Sequence, residues 1–531
     1  MVSVGSLLRA ALSVSAATFL SRATGYLRWS AQAAALGTGA VADGYTIAIL
    51  LPSLIYELFV GGILYSIFIP VLVDRMTSYG EEDARGLTNA LFTLILPLMG
   101  LLTLAGISFA GPLVGLVGSW GGTAEGLTAE QARQTQEYGV FFFRIFALQM
   151  LFYGVSTIAT GVLQAYRRFF LPTFAPVLNN LVVVGSLAAY YFLRETDQRL
   201  ALYVLAFGVT VGVAIMALAL LPTLLALGYR PRPRVNHPAL LPTAKLAGPM
   251  IVLVAASVGF QFLTASLVSR YGALAEVNYA FIIFTLPYGL FVVAIATALM
   301  PELSEKHSRE DTEGYRETFS FGLRTMLFVV VPSSVGLITL AEPVVGVLYQ
   351  RLYFRPEATR EVAGLLVAYS AGLLGYSVYF FLVRAFYSRQ NTKTPALLNV
   401  GIFVLFAALA YGLSYLFGAT GVVLALSAAY AVLAVLALAA TRREIGRIDG
   451  RRLISSLAKA LAAGAAMYAV ATAGTALLGE GTDFAERSLV LLTAGGASLA
   501  AYLGAAFVLR AEELKSLAGL FGRQTRSRIS G

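Results

Sequence analysis

Two arginines, Arg22 and Arg28, interrupt a run that is otherwise apolar from about residue 10 to residue 36. An arginine at membrane depth costs at least a few kcal/mol unless it meets water or a partner. Its planar fork suits bidentate binding of phosphate. The chemistry to expect is therefore anion recognition. Six residues apart on one helix, the two side chains point about 120° apart and need not share a target. The plainer alternative is that either one snorkels to an interface or pairs internally, for instance with Asp43. Asp43 opens the next apolar run, where a carboxylate caps free N–H groups; a gate or ion pair is its other reading. Glu57, near the middle of that run, is a gate or proton site or one half of a salt bridge. Pro52 and Pro287 lie inside apolar runs, where the missing N–H and the ring clash favour a bend, so they are candidate hinges. The chain has no cysteine, which removes disulfides, thiolate metal sites and a cysteine nucleophile. His237 and His307 fall in polar loops, which leaves no histidine-based metal centre. With no clustered acid/base pair, metal motif or nucleotide loop, a membrane enzyme is the least favoured class, and neither metal nor cofactor is expected.

The elements that carry these residues follow from composition. Of 531 residues 58% are hydrophobic and 12% charged, with a mean hydropathy of +0.77. A soluble domain has roughly a quarter of its residues charged. Apolar stretches of about 20 residues recur from end to end, each long enough to cross a hydrocarbon core of about 30 Å as a helix. The polar/apolar alternation of a β-barrel is absent. The fold class is therefore an all-α polytopic membrane protein. About fourteen transmembrane helices are expected, near 10–36, 43–72, 88–117, 138–165, 172–193, 201–227, 243–268, 276–301, 319–348, 363–387, 395–416, 419–440, 453–478 and 488–509. Arg9 and the apolar run after it resemble a signal peptide, but apolar character resumes past Arg22 and Arg28, which favours a retained first helix. The net charge of +10 sits in short loops, so topology explains it better than nucleic acid does. Alternate connections are rich in Arg and Lys, by roughly three to one, which puts that side and both termini in the cytoplasm.

The chain also repeats itself. Ala110-Gly111-Pro112 returns as Ala341-Glu342-Pro343, Leu178-Asn179 as Leu398-Asn399, and Leu51-Pro52 as Leu286-Pro287. The counterparts lie six helices apart, so the repeats share one orientation. Parallel repeats about an axis along the membrane normal are a transporter architecture with the substrate between the halves. The expected organisation is an N-lobe (1–228, helices 1–6), a basic cytoplasmic linker (229–242) and a C-lobe (243–440, helices 7–12). A further helix pair (441–510) and a basic cytoplasmic tail (511–531) follow.

Specific words carry a resemblance. Gly161-Val162-Leu163-Gln164-Ala165-Tyr166-Arg167-Arg168-Phe169, continuing through Pro172 to Ala175-Pro176-Val177-Leu178-Asn179, is similar to the fourth-to-fifth helix junction of MurJ/MviN proteins. Arg384-Ala385-Phe386-Tyr387 with Gln390-Asn391-Thr392-Lys393-Thr394-Pro395 resembles their tenth-to-eleventh junction. Leu340-Ala341-Glu342-Pro343-Val344-Val345 with Gln350-Arg351 resembles the end of their ninth helix. Ser21-Arg22, Gly25, Arg28 and Ala42-Asp43 resemble their first two helices. The resemblance covers about residues 10–440. It implies a two-lobe transporter of the MOP flippase/exporter superfamily, multi-pass in the bacterial cytoplasmic membrane. Such a transporter moves lipid II, the undecaprenyl-pyrophosphate-linked peptidoglycan precursor, from the inner to the outer leaflet by alternating access. It further implies that Arg22 and Arg28 grip the headgroup, that the extra helix pair offers a groove for the lipid tail, and that cell-wall synthesis proteins are candidate partners. Arg144 and Arg384 match family positions and read as ion pairs or interface anchors.

The chain departs from the family pattern in charge. Arginines usual in the second helix are replaced by Tyr56 and Glu57, and Asp-Arg and Glu usual in the eighth by Phe281, Ile282 and Thr285. Tyr56 and Thr285 can line a cavity as hydrogen-bond donors but supply no positive charge. A less basic cavity is expected, with weaker binding of lipid II unless other groups compensate. The competing readings are a flippase for another polyprenyl-linked glycan, a MATE-like exporter, and a non-transporting scaffold of the cell-wall machinery.

Overall fold

The structure is a computed structural model in which residues 4–118, 128–230, 232–446, 448–479, 481 and 483–514 are described. These residues form helices joined by short turns, with no strand among them. They divide into two compact units: Met1–Ala275 with Arg351–Phe354, and Glu276–Gln350 with Arg355–Gly531.

The first unit holds α1 (Val4–Leu36), α2 (Ala40–Tyr56), α3 (Gly62–Ser78), α4 (Glu81–Ser108), α5 (Ala110–Gly118) and α6 (Ala129–Phe146). It continues with α7 (Gln149–Ala165), α8 (Phe170–Leu193), α9 (Gln198–Leu218), α10 (Leu221–Ala226) and α11 (Leu240–Ser269). Helix α1 packs on α8, α2 on α6, and α4 on α7. Phe68, Leu87, Met99, Met150, Ile158 and Val162 form a buried core where α3, α4 and α7 meet. The stretch between α10 and α11, beginning at Tyr229, is fastened to α4 within this unit. Backbone N–H groups of Arg232 and Arg234 donate to Asn89 and Thr93, and the His237 ring lies 3.3 Å from the Asp83 carboxylate. His237, expected in a polar loop, lies in one and is buried there. Burial pulls its pKa below the ordinary histidine value, against the opposing pull of Asp83.

The second unit contains α12 (Leu274–Pro287, beginning in the first unit), α13 (Val293–Ser308), α14 (Thr312–Thr339), α15 (Ala341–Tyr349) and α16 (Pro356–Ala371). Helices α17 (Leu373–Ser388), α18 (Lys393–Ile445), α19 (Gly450–Leu478) and α20 (Phe484–Val508) complete it. Helix α18 is two helices meeting at Gly418, whose φ of 59° and ψ of −141° suit only glycine. That break falls between the eleventh and twelfth stretches expected from the sequence. Helices α14, α19 and α20 share a core of Phe328, Val331, Ala463, Met467 and Tyr502, and the Tyr502 hydroxyl donates to the Phe328 carbonyl at 2.7 Å.

Every expected apolar stretch is helical. Nine helical stretches among the described residues are long and apolar enough to cross a membrane, or up to eleven if each bent pair is one span. Outward-facing Phe19, Phe192, Leu416 and Phe507 are each at least 72% exposed, as suits lipid contact rather than water.

The repeat is visible inside each unit. Helix α4 stops at Ser108 and α14 at Thr339, each four residues before the proline of the repeated word, Pro112 or Pro343. A proline ring clashes with the carbonyl four residues back, so the same residue breaks both helices. The pair α6–α7 bends by 45° and α16–α17 by 47°. Helix α2 passes through a π-helical turn, Glu57–Gly61, into α3, and α12 through a second one, Tyr288–Val292, into α13.

Candidate functional site

Helix α1 holds both arginines and is fixed by α8. The Asn180 amide donates to the Thr24 hydroxyl at 3.1 Å and to the Ser21 carbonyl at 3.4 Å. Arg22 is exposed, whereas Arg28 is half-buried and its Nε, fully covered, has no hydrogen-bond partner. Arg28 lies within electrostatic reach of the Tyr45 and Tyr153 hydroxyls. The Tyr45 ring is wedged edge-on between Phe142 and Phe146, each 5.6 Å away, and its buried hydroxyl faces the Arg28 guanidinium, with no closer hydrogen-bond partner. The Arg28 Nε is thus covered and unused, and the Tyr45 hydroxyl has only that guanidinium to face. Such groups are rare in folded proteins because each forfeits hydrogen bonds it made to water.

Asp43 is not the partner of Arg28. Its carboxylate accepts the Ala275 N–H at 2.8 Å at the start of α12, and among the described residues it makes no ion pair. Glu57 likewise makes no ion pair among the described residues; its Oε2 lies 3.5 Å from the Gln261 amide of α11. The Tyr56 hydroxyl meets Thr157, and its ring lies 5.3 Å from Tyr153. Pro52 lies five residues before the first π turn, and Pro287 immediately before the second. π turns occur mostly as local bulges inside α-helices and are frequent at functional sites.

The first unit therefore brings Arg28, Tyr56 and Glu57 onto one polar seam, which also contains Tyr45, Gln149, Tyr153 and Gln261. Reading the sequence for charge missed those last four. The signal was present: Gln149, Tyr153 and Thr157 recur at every fourth residue, one face of α7. The Tyr153 hydroxyl donates to Gln149 at 3.0 Å along that face.

In the second unit, Thr285 donates to its own helix, to the Ile282 carbonyl at 2.9 Å. Around the π turn that follows lie mostly rings, with Arg384 within electrostatic reach of Tyr288. Tyr288 sits 4.9 Å from Tyr376 and 4.8 Å from Phe380, and Tyr376 sits 4.7 Å from Tyr430. Arg144 and Arg384 are both exposed, and among the described residues neither forms an ion pair. No group of acidic, histidine or cysteine side chains among the described residues could hold a metal ion.

Residues 32–490 match the family described as "Lipid II flippase MurJ". The lipid II flippase MurJ of Burkholderia cenocepacia is 30% identical over 406 residues, which cover 75% of this chain and 76% of that one. A probable lipid II flippase MurJ of Bdellovibrio bacteriovorus is 30% identical over 523 residues, 96% of each chain. Among solved structures, a lipid II flippase MurJ in an inward closed conformation matches with a TM-score of 0.74 over 94% of this chain and 98% of that one, at 23% identity. An inward-facing MATE-family multidrug transporter of the MOP superfamily matches with a TM-score of 0.59 over 79% and 96%, at 14% identity. At those identities the structures bear on the fold, which is that of the MurJ and MATE transporters. With the family match running through most of the chain and whole-length relatives at 30% identity, this protein belongs to the MurJ lipid II flippase family of multi-pass transporters of the bacterial inner membrane.

Proposed function

We propose that this protein carries lipid II from the inner to the outer leaflet by alternating access, with Arg28 and Tyr45 binding the headgroup. The observation that carries the reading is the covered, unpartnered Arg28 Nε, with the buried Tyr45 hydroxyl facing the same guanidinium from the next helix. A pyrophosphate offers acceptor oxygens of the right charge for both. Arg22, exposed two turns earlier on α1, is the first contact for the same anion. The polar seam through Tyr153, Tyr56 and Glu57 leads from that point to the π turn after Pro52. The two prolines and the π turns beside them are the hinges of the cycle, and Asp43 on the α12 N-terminus is its gate. The lobes are residues 1–228 and 243–440, the 229–242 connection and both termini are cytoplasmic, and the 441–510 pair receives the lipid tail. Cell-wall synthesis proteins are its partners.

The absence of the charges usual in the eighth helix supports one second reading, a different polyprenyl-linked glycan. Native mass spectrometry of the purified protein separates the two. Lipid II should bind at least as well as other undecaprenyl-pyrophosphate glycans, and Arg28→Ala should weaken it. Strong preference for another glycan would move the substrate, and binding indifferent to Arg28 would remove the site.

A further inference from the structure

Arg144 stands five residues into the apolar run that α6 and α7 share from Gly139 onward. Among the described residues it makes neither an ion pair nor a hydrogen bond. A pocket of about 580 Å³ opens over it, lined on α6 by Arg133, Glu137, Phe141 and Arg144 and on α9 by Tyr203. That volume lies within the range of small-ligand pockets, roughly 300–1,000 Å³. Helix α6 turns its other face to α2: Gly139, Phe142, Phe143 and Phe146 are buried, and Tyr45 of α2 sits between Phe142 and Phe146. Arg144 therefore points away from the polar seam and from Arg28. Exposure at this depth is exposure to lipid, where an arginine is costly unless it meets water or an anion.

The groups around it follow an order along the helix. Glu137 lies seven residues before Arg144, about two turns away on the same face. The arginine side chain leans back toward the helix N-terminus, and so toward Glu137. Glu137 meets Arg133 through one oxygen, at 3.1 Å, and Arg133 is shared with Glu130 at 3.0 Å, which leaves the second Glu137 oxygen open. Helix α9 runs parallel beside α6 and α7. The Gln198 amide meets the Tyr138 hydroxyl at 3.4 Å, the Phe141 and Tyr203 rings lie 5.0 Å apart, and the Gln149 amide meets Thr210 at 3.5 Å. One turn past Tyr203, and stacked with it at 6.3 Å, Phe207 is 50% exposed. From its polar end inward the groove thus presents an acid, a base and then an apolar wall. An aminophospholipid presents, from its headgroup inward, an ammonium, a phosphate and then an acyl chain. A soluble phosphate would leave the apolar wall bare, and an anionic phospholipid brings no cation for Glu137. We propose that this groove binds a phospholipid with a primary-amine headgroup, its phosphate on Arg144, its ammonium on Glu137 and a chain along Tyr203 and Phe207. In the proposed topology α6 begins outside, so this lipid belongs to the outer leaflet, on a face separate from the transported substrate.

Thermal unfolding of the full-length protein in detergent would be followed with added phosphatidylethanolamine, phosphatidylcholine or phosphatidylglycerol. Phosphatidylcholine keeps the phosphate and the cation but has no N–H to donate, and phosphatidylglycerol has no cation. Phosphatidylethanolamine should raise the midpoint at a concentration roughly tenfold below the other two, as one charge-assisted hydrogen bond implies. Arg144→Gln should raise the concentration needed roughly tenfold, and Glu137→Gln should erase the advantage over phosphatidylglycerol. Arg144→Lys keeps the charge and should respond nearly as the parent does, which separates lost binding from damaged folding. Binding of lipid II, assigned above to Arg28, should be the same in all three variants, so either reading can fail alone. Equal action of the three lipids on the parent, or a phosphatidylethanolamine response unchanged in either glutamine variant, would overturn the proposal.

Discussion

Arg28 and Tyr45 each cover a donor that nothing among the described residues accepts, and the sign of that cost makes them testable. Tyr45→Phe removes a buried hydroxyl whose proton has no acceptor among the described residues, a state that costs about 1–3 kcal/mol. The variant should therefore unfold no earlier than the parent in detergent while transporting less, a combination that a purely structural tyrosine would not give. Arg28→Ala should cut transport roughly tenfold or more, as loss of a charge-assisted bond of about 1.5–3 kcal/mol implies. Arg28→Lys should recover little of it, because the planar fork is lost although the charge is kept. The missing second-helix charge suggests restoring arginine at Tyr56, but Tyr56 contacts Thr157 and Tyr153. Tyr56→Arg should break that contact and gain nothing. His237 gives a pH dependence. Its Nδ1 accepts the Ala239 N–H at 3.2 Å, so Nε2 carries the proton and faces Asp83, with Arg234 and Arg75 adding positive charge nearby. A folded pKa below the ordinary value of about 6.5 means the undocked state binds the proton more readily. The fastening is then complete above that value and is lost as pH falls through the folded pKa. Limited proteolysis of the 229–242 connection should speed up from pH 7.5 to pH 5.5, and His237→Gln should flatten the response.

At the scale of elements, the sequence exposed most of what the structure contains. Breaks follow from residues whose backbone chemistry is fixed: Pro112 and Pro343 end the helices before them, and Gly418 divides α18. Gly418→Ala should destabilise the second unit by about 1–3 kcal/mol, the cost of a side chain in that backbone region, measured as a lower thermal midpoint. The two π turns were not legible, because an inserted residue in a helix leaves no mark on apolar periodicity; only the prolines near them hinted at irregular backbone. The seam on α7 was legible as spacing but not as function. Gln149, Tyr153 and Thr157 are uncharged, and a charge-led search passes over them. The Asp43 contact could not be read either, since its acceptor role depends on the N–H of Ala275, 232 residues away.

For the whole molecule, the alternation of basic and less basic connections sets an orientation that single cysteines can test, because the chain has none of its own. Ser308→Cys should be protected from an impermeant thiol reagent in whole cells, and a cysteine at Glu361 should be labelled; the reverse pattern would invert the proposed topology. Family and fold were readable because they rest on words and apolar runs spread over the chain. The proposed headgroup site was legible only in part, since Arg22 and Arg28 were visible but their neighbours on α2 and α7 were not. Whether lipid II binding is weak, as the missing charges lead one to expect, is decided by transport rather than by geometry. Growth of a bacterium depleted of its own lipid II flippase measures this most directly, with expression matched between variants. The parent chain should restore growth, and the Arg22→Ala, Arg28→Ala double variant should insert in the membrane yet fail to restore it. Failure of the correctly inserted parent, or full rescue by the double variant, would contradict lipid II transport through this site.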